Sequence, residues 1–321
     1  MVDAAELVER VAAGDRRALA RAITLVEADT PTGREVLARL YPLTGRAHTI
    51  GVTGSAGAGK STLVGALARE ERKRGRTVGI VAVDPSSPFS HGAILGDRIR
   101  MQDLTHDGGV FMRSMASRGN LGGLAETASG VVDVMDAAGY DVVILETVGA
   151  GQDEVEVATA AQTTVLVATP AGGDDVQSMK AGLMEIAQIM VVNKADLAGA
   201  DTAVMQLRGL LVLAPPRPWV TPVLKATART AEGIPALVDA IDSHQQHLRS
   251  SGHAEAERRS LAQAQIISLA RAALYRQTLD TAQSEGLLTS LIDEVAGRRR
   301  DPRSAADTLL TVLRAQWAAR G

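Results

Sequence analysis

The sequence contains no cysteine in 321 residues. Disulfide bonds, thiolate chemistry and cysteine-based zinc sites are therefore excluded, and this composition is compatible with a reducing cytosol. Aromatic residues make up only 2% of the chain, so the core must be built from aliphatic side chains, and a surface that stacks nucleic-acid bases is not expected. The formal net charge of −3 gives no global positive field that would attract nucleic acid or an anionic membrane.

Long hydrophobic runs are also absent, since none approaches the ~18 residues that a transmembrane helix needs. Residues 1–6 are acidic and lack the apolar core of a secretory signal, and they lack the arginine-rich composition of a transit peptide. We therefore expect a cytoplasmic protein that binds neither membrane nor nucleic acid. The 45% of apolar residues suffices for one large domain, or for a core domain with additional helices.

Strands and helices are predicted to alternate between residues 48 and 249. Several candidate strands, such as 142–145, are continuous apolar runs, which is typical of parallel strands covered on both faces. The pattern predicts an α/β fold with a doubly wound, mostly parallel sheet, and ligands are then expected beyond the carboxyl ends of the strands. The candidate strands are 49–54, 77–83, 110–113, 141–146, 163–169, 188–193 and 220–224.

One stretch matches the phosphate-loop pattern G-x-x-x-x-G-K-[ST], between an apolar strand pattern and a helical pattern. Its glycines let successive backbone N–H groups point inward as an anion nest, and the helix adds the positive end of its dipole. Lys60 is predicted to reach the β- and γ-phosphates as a catalytic cation, and the Ser61 hydroxyl to bind Mg²⁺. The predicted phosphate-binding residues are Gly54, Ser55, Ala56, Gly57, Ala58, Gly59, Lys60, Ser61 and Thr62.

A second motif, N-K-x-D, begins at Asn193 directly after a predicted strand and indicates the base. The Asp196 carboxylate can accept N–H groups from guanine N1 and N2, and adenine offers no such pair, so the wrong base leaves a polar group unpaired. A Thr-Ala-Arg stretch resembles the Ser-Ala-x loop whose backbone N–H reads guanine O6. The predicted guanine-binding residues are Asn193, Lys194, Asp196, Thr227, Ala228 and Arg229.

Acidic residues at strand ends or in loops are candidates for Mg²⁺, which takes oxygen ligands and usually keeps several waters. Many phosphate-loop GTPases carry Asp at the position of Glu146, and its extra methylene favours a water-mediated role. The predicted metal-binding residues are Ser61, Asp84, Asp97 and Glu146, and Asp97 is also a candidate catalytic residue.

Gly149 can donate its backbone N–H to the γ-phosphate, and loss of that phosphate would release the glycine-rich hinge 148–152. Gln152 is within sequence reach to orient the hydrolytic water, although an ordinary surface glutamine explains it about equally well. The six histidines are scattered and are predicted to be solvated, so no zinc site is expected.

Four motifs together, at 84–89, 92–98, 112–119 and 146–154, closely resemble the MeaB/ArgK family of P-loop GTPases, the methylmalonyl-CoA mutase-associated GTPases. The E-x-x-G of Glu146 and Gly149 is a mark of a wider group that includes metallochaperone GTPases. With the phosphate loop and N-K-x-D, the resemblance covers residues 48–235 strongly. The domains expected from it are an N-terminal helical extension at 1–47, a P-loop G domain at 48–249 and a C-terminal helical dimerisation arm at 250–321.

The resemblance implies a low-turnover, Mg²⁺-dependent GTPase that converts GTP to GDP. It further implies a homodimer that protects adenosylcobalamin-dependent methylmalonyl-CoA mutase and gates its cofactor loading, with switch segments at 84–100, 146–155 and 172–180. Two alternatives remain open. A nucleotide-dependent kinase or ATPase linked to amino-acid transport is disfavoured by the guanine motif, and a nickel or cobalt metallochaperone GTPase is disfavoured by the lack of cysteine.

Overall fold

The computed structural model divides the chain into two compact units, Met1–Ala264 and Gln265–Gly321. The domain boundaries at 47/48 and 249/250 stay predictions. The residues that the structure describes are 3–85, 102–117, 123–147, 161–170, 185–213, 215, 217–250, 259, 262–267, 269–271, 273–275, 277–278 and 286–320.

A seven-stranded sheet in the order β3-β2-β4-β1-β5-β6-β7 forms the centre of the first unit, and all its neighbouring strands pair in parallel. All the candidate strands exist, so the predicted parallel α/β fold is confirmed. The strands are β1 (His48–Gly54), β2 (Val78–Pro85), β3 (Val110–Ser117), β4 (Val142–Glu146), β5 (Thr163–Ala168), β6 (Ile189–Val192) and β7 (Val223–Lys225).

Helices cover the two faces of this sheet, and their apolar residues fill separate clusters on either side of it. In the described part of the chain, no helix combines the length and the hydropathy of a transmembrane span. In the part of the first unit that the structure describes, the helices are α1 (Ala4–Ala12), α2 (Arg16–Glu27), α3 (Pro31–Leu40), α4 (Lys60–Lys73), α5 (Gln102–Thr105), α6 (Gly123–Ala137), α7 (Ala200–Leu213) and α8 (Ile234–Ser250).

The three N-terminal helices share a hydrophobic core with α6 and with strands β2, β3 and β4. Asp15 is the N-cap of α2, and its carboxylate accepts hydrogen bonds from the N–H groups of Arg17 and Ala18. Leu19 and Ile23 of the same helix are buried in this core. The N-terminal helices are therefore integrated with the sheet through a common core, although they contribute no strand to it.

Entry into the central strand is fixed by Asp136 of α6, which is 5% exposed. Its carboxylate accepts hydrogen bonds from the backbone N–H groups of Gly45, Arg46 and Ala47, at 2.6, 3.1 and 2.9 Å. One carboxylate thereby satisfies three successive backbone N–H groups. This contact sets where the chain leaves the N-terminal helices and begins β1.

The described residues 286–320 of the second unit form helices α9 (Leu287–Ala296) and α10 (Pro302–Arg320), which contact one another. An arginine-rich stretch separates them, and Asp301 caps α10 by accepting hydrogen bonds from the N–H groups of Arg303 and Ser304. Leu291 is buried, while Ile292 and Leu310 are 55% and 46% exposed.

A chain of buried polar groups joins β1, β5 and α8 at the amino-terminal end of β1. His48 Nε2 lies 2.7 Å from Thr163 Oγ1, which lies 2.8 Å from His244 Nδ1. Both histidines are 2% exposed, so the prediction of solvated histidines is wrong for them. His244 shares the buried face of α8 with residues at helical spacing, Leu237, Ile241 and Leu248, and this spacing is the signal that could have identified it.

Burial lowers the pKa of His48 to about 3 and that of His244 to about 4. Both rings are therefore neutral in the folded chain, and their protonation favours unfolding. Their contribution to stability is complete above an unfolded-state pKa of ~6.5 and is lost as the pH falls toward 3–4. Asp133 acts in the opposite direction in the same window, because burial and the neighbouring Asp136 raise its pKa to about 7.

We therefore expect the double variant His48→Gln/His244→Asn to lose less stability on acidification than the parent, because its amides keep hydrogen-bonding groups near Thr163 but do not titrate. The expected difference approaches ~1 kcal/mol per histidine for each pH unit below 6.5. Urea unfolding at pH 7.5 and 5.5 measures it, with exposed His106→Gln as the control. Equal pH dependence in the parent and the double variant would contradict this.

Candidate functional site

The turn from β1 into α4 requires glycine at two positions. They are Gly54, the last residue of β1, and Gly59, the last residue of the loop 55–59. Gly54 has φ +143°, and a Cβ there would lie 2.2 Å from the carbonyl oxygen of Val167 in the adjacent strand β5. Gly59 has φ +88°, and its Cβ would lie 2.5 Å from Asn193 Nδ2. Both positions combine a left-handed backbone with a close neighbour, so an L side chain is strained and obstructed at each.

Lys60, the first residue of α4, places its ammonium group against the start of the loop. Its Nζ donates hydrogen bonds to the carbonyl oxygens of Gly54 and Ser55, at 2.7 and 3.0 Å, and the residue is only 6% exposed. The positive charge is therefore held in the strand–loop–helix turn, at the amino-terminal end of α4. An anion in this loop would meet both the fixed cation and the helix dipole.

Ser61, the next residue, is hydrogen-bonded to the last residue of β4, the strand next to β1. Its Oγ donates a hydrogen bond of 2.6 Å to Glu146 Oε1, and Glu146 is 4% exposed. Since the hydroxyl proton points to the carboxylate, the lone pairs of Ser61 Oγ are left to face a cation. Sequence reasoning gave Glu146 a water-mediated role toward the metal, and the structure adds this direct contact with a candidate metal ligand.

A hydroxyl and a carboxylate are the hard oxygen donors that suit Mg²⁺, so the residues present fit that ion. Among the described residues there is no group of three or more histidines and acids that could hold a metal. Of the other candidate ligands, Asp84 is the last residue but one of β2 and only its backbone is described, and Asp97 lies outside the described residues.

The side chain of Asn193 joins the phosphate loop to the 227–229 loop. Its Nδ2 donates to the carbonyl oxygen of Ala58 at 2.9 Å, and its Oδ1 accepts from the N–H of Ala228 at 3.1 Å. The two contacts have opposite polarity, which fixes the orientation of the amide. Asn193 is 2% exposed, so a single buried side chain connects two loops that are far apart in the sequence.

Lys194 also contacts the phosphate loop, since its Nζ donates to the carbonyl oxygen of Gly57 at 2.8 Å. Its backbone is left-handed, with φ +58°, and it leads into a turn on which Asp196 is exposed. In the 227–229 loop, Thr227 and Ala228 are buried and Arg229 is exposed. The predicted base-reading residues are thus adjacent to the predicted phosphate-binding residues, at the carboxyl ends of β1, β6 and β7.

Three predicted residues, Asp97, Gly149 and Gln152, lie outside the described part of the chain, so their roles stay predictions. The same holds for segments 86–100, 148–155 and 172–180 of the expected switch regions. Sequence reasoning missed the dual contact of Asn193, because the motif indicates only that an amide follows β6. Parallel neighbouring strands with aligned carboxyl ends were the signal that these loops would meet.

A model of the family described as methylmalonyl Co-A mutase-associated GTPase MeaB matches residues 19–283. A Pyrococcus abyssi protein whose name describes it as a GTPase is 46% identical over 97% of this chain and 96% of its own length. The mouse methylmalonic aciduria type A homolog, a mitochondrial protein, is 34% identical over 77% of this chain and 64% of its own length. A crystal structure of a LAO/AO transport system kinase superimposes with a TM-score of 0.75 at 27% identity, covering 98% of this chain and 99% of that one.

The glycine geometry predicts different effects for Gly59→Ala and Gly57→Ala. Both positions have positive φ, which costs an alanine about 1–2 kcal/mol, but a Cβ at Gly57 would meet nothing within 4 Å. At Gly59 the methyl group would displace the Asn193 amide from its buried hydrogen bonds, which costs about 1–3 kcal/mol more. Urea unfolding without nucleotide should show the larger loss for Gly59→Ala. Equal losses would contradict the proposed contact between Gly59 and Asn193.

Proposed function

Because this chain belongs to the MeaB family of methylmalonyl-CoA mutase-associated GTPases, we propose that it is a Mg²⁺-dependent GTPase that acts as a chaperone of an adenosylcobalamin-dependent mutase. GTP hydrolysis itself follows from family membership and from the P-loop fold. The observation that carries the proposal is the pair of loops joined by Asn193, one suited to phosphates and the other to guanine.

In this proposal the phosphate loop holds the triphosphate by backbone N–H groups. Lys60, already anchored on Gly54 and Ser55, places its charge against the β- and γ-phosphates as the nucleotide enters. Ser61 and Glu146 would hold Mg²⁺, the hydroxyl directly and the carboxylate through water or through the hydroxyl. When bound, the ion neutralises negative charge on the phosphates, which lowers the barrier to transfer of the terminal phosphoryl group.

Base selection is assigned to Asp196, which would accept N–H groups from guanine N1 and N2. Lys194 supports this assignment because its side chain runs beside the phosphate loop to Gly57, so its stem can cover a base bound at Asp196. The backbone N–H of Ala228 donates to Asn193 Oδ1 in this structure, so this amide stabilises the 227–229 loop. Adenine would leave the Asp196 carboxylate without its donors, and a site built on hydrogen bonds discriminates strongly against such a loss.

The partner and the assembly are proposed from the family. The description of the family model names methylmalonyl-CoA mutase, so we propose a mutase of that class as the client, in the cytoplasm and without nucleic acid or membrane. We also propose a homodimer. The half-exposed apolar side chains of Ile292 and Leu310 in the C-terminal unit support it, because burial of such residues is a usual driving force for association.

A kinase linked to amino-acid transport is the second candidate, and the protein of similar fold is named a LAO/AO transport system kinase. The N-K-x-D residues beside the phosphate loop disfavour it, since they suit GTP and not ATP. A metallochaperone role is disfavoured by the lack of cysteine.

Asp196→Asn tests the reading of the base. The variant replaces an acceptor-only carboxylate by an amide that presents a donor toward the guanine N–H groups. We expect GTP affinity to fall at least about tenfold, while the weaker ATP affinity stays within about twofold. Fluorescence titration in Mg²⁺ measures both, and Asp201→Asn, an exposed change on α7, is the matched control. Equal weakening of GTP and ATP would argue against guanine reading by Asp196.

The chaperone proposal is tested by titrating the purified chain with an adenosylcobalamin-dependent methylmalonyl-CoA mutase. We expect the affinity to differ between the GDP state and the state with a non-hydrolysable GTP analogue, because the terminal phosphate sets the loops. In Lys60→Ala this difference should vanish, since the variant loses the charge that contacts that phosphate. A lack of association in every nucleotide state would reject the mutase as client and leave the GTPase assignment intact.

A further inference from the structure

Two buried threonine side chains tie the end of β1 to the end of β4, beside the phosphate loop. Thr147 Oγ1 donates a hydrogen bond of 3.2 Å to Thr53 Oγ1, and the two residues are 3% and 0% exposed. The backbone of Thr147 also donates to the carbonyl oxygen of Val52 at 3.1 Å, which extends the parallel ladder one residue past the Val52–Glu146 pair. The two strand ends are therefore joined by a backbone and a side-chain contact.

Packing alone does not require these hydroxyl groups. The residues that precede them, such as Val52 and Leu145, are buried and aliphatic, and valine has nearly the shape of threonine. A hydroxyl group taken from water costs about 1–3 kcal/mol unless a hydrogen bond compensates. A valine pair would fill the same space without that cost. What the threonine pair adds is a directional contact that fixes one strand end against the other.

Each threonine is the direct neighbour of a residue that anchors a phosphate-site side chain. Thr53 precedes Gly54, whose carbonyl oxygen holds Lys60 Nζ at 2.7 Å. Thr147 follows Glu146, whose carboxylate holds Ser61 Oγ at 2.6 Å. The hydroxyl contact is therefore one residue away from each of the two anchors along the chain.

We propose that the Thr53–Thr147 hydroxyl pair is a positioning device for GTP hydrolysis. It holds the anchors of Lys60 and Ser61 at the separation that suits the terminal phosphoryl group during transfer. The inference rests on the GTPase activity assigned above. The hydroxyl groups act through Gly54 and Glu146, so Thr53 and Thr147 are positioning residues. A displacement of about 1 Å can reduce a rate roughly 100-fold, whereas nucleotide affinity is spread over many contacts and is less sensitive.

Two substitutions at one position separate the hydroxyl from the packing. Thr147→Val keeps the shape and removes the hydroxyl, and Thr147→Ser keeps the hydroxyl and removes a methyl group. We expect Thr147→Val to lower kcat for GTP hydrolysis at least about fivefold, with Kd values for GTP and GDP within about twofold of the parent. Thr147→Ser should retain kcat within about twofold, although its lost methyl group makes it the less stable variant in thermal unfolding.

Two further variants complete the test. The double variant Thr53→Val/Thr147→Val should have the kcat of Thr147→Val alone, because the contact is already broken. Thr53→Val gives the same test from the other strand if Thr147→Val does not fold. Thr164→Val, a buried threonine near the start of β5, is the matched control and should keep the parent kcat.

Several outcomes would overturn the inference. A normal kcat in Thr147→Val with a reduced kcat in Thr147→Ser would assign the position to packing. A parallel loss of kcat and of GDP affinity in Thr147→Val would make the pair a merely structural contact. If the parent chain itself does not hydrolyse GTP, the assigned function fails, and this inference fails with it. Normal hydrolysis in both the parent and Thr147→Val counts against the positioning role alone.

Discussion

The buried amide of Asn193 is the constraint on which the site depends. It is 2% exposed, and it satisfies the carbonyl group of Ala58 and the N–H group of Ala228 at the same time. A buried amide must have partners for its donor and its acceptor, so the two loops can take only a narrow range of relative positions. The same amide explains Gly59, because any Cβ there would collide with it. The Asn193 side chain thus accounts for the glycine at position 59 and for the close approach of the phosphate loop to the 227–229 loop.

The functional side chains of the phosphate site are hydrogen-bonded within the protein, so their positions are fixed before a nucleotide binds. Lys60 lies on two carbonyl groups, and the Ser61 hydroxyl lies on Glu146. Groups held in this way need little reorganisation when charge develops during phosphoryl transfer, which is the usual source of electrostatic catalysis. This arrangement also explains why the separation of the strand ends matters, since the ends of β1 and β4 carry the anchors of both side chains.

Helix α8 holds β1 and α4 together at the end opposite to the phosphate loop. Arg76, which follows α4, donates to Asp242 of α8 at 2.6 and 2.9 Å, and His244 of α8 joins the start of β1 through Thr163. Helix α8 begins directly after the segment that contains the 227–229 loop. The same helix therefore connects this loop with the amino-terminal end of β1 and the carboxyl-terminal end of α4. The strand–loop–helix unit is therefore held at the loop by Asn193 and at the opposite end by α8.

Much of this architecture could be predicted from the sequence, because its signals are local. Apolar runs identified all seven strands, although β7 is Val223–Lys225 and not 220–224. The phosphate loop and the N-K-x-D motif indicated their ligands for the same reason. The order of the strands, the double contact of Asn193 and the Ser61–Glu146 bond depend on which strand ends are neighbours, and no local pattern contains that. The burial of His244 contradicts its polar residue type and follows from its helical spacing with the buried residues Leu237, Ile241 and Leu248.

The central claim is that the phosphate loop forms one guanine-nucleotide site with the N-K-x-D residues and the 227–229 loop. Calorimetric titration of the unmodified chain with GTP and with ATP, in Mg²⁺ at equal ionic strength, tests it most directly. GTP should bind with a stoichiometry of about one per chain and at least about 100-fold more tightly than ATP. Equal affinities for the two nucleotides, or no binding of GTP, would contradict the claim.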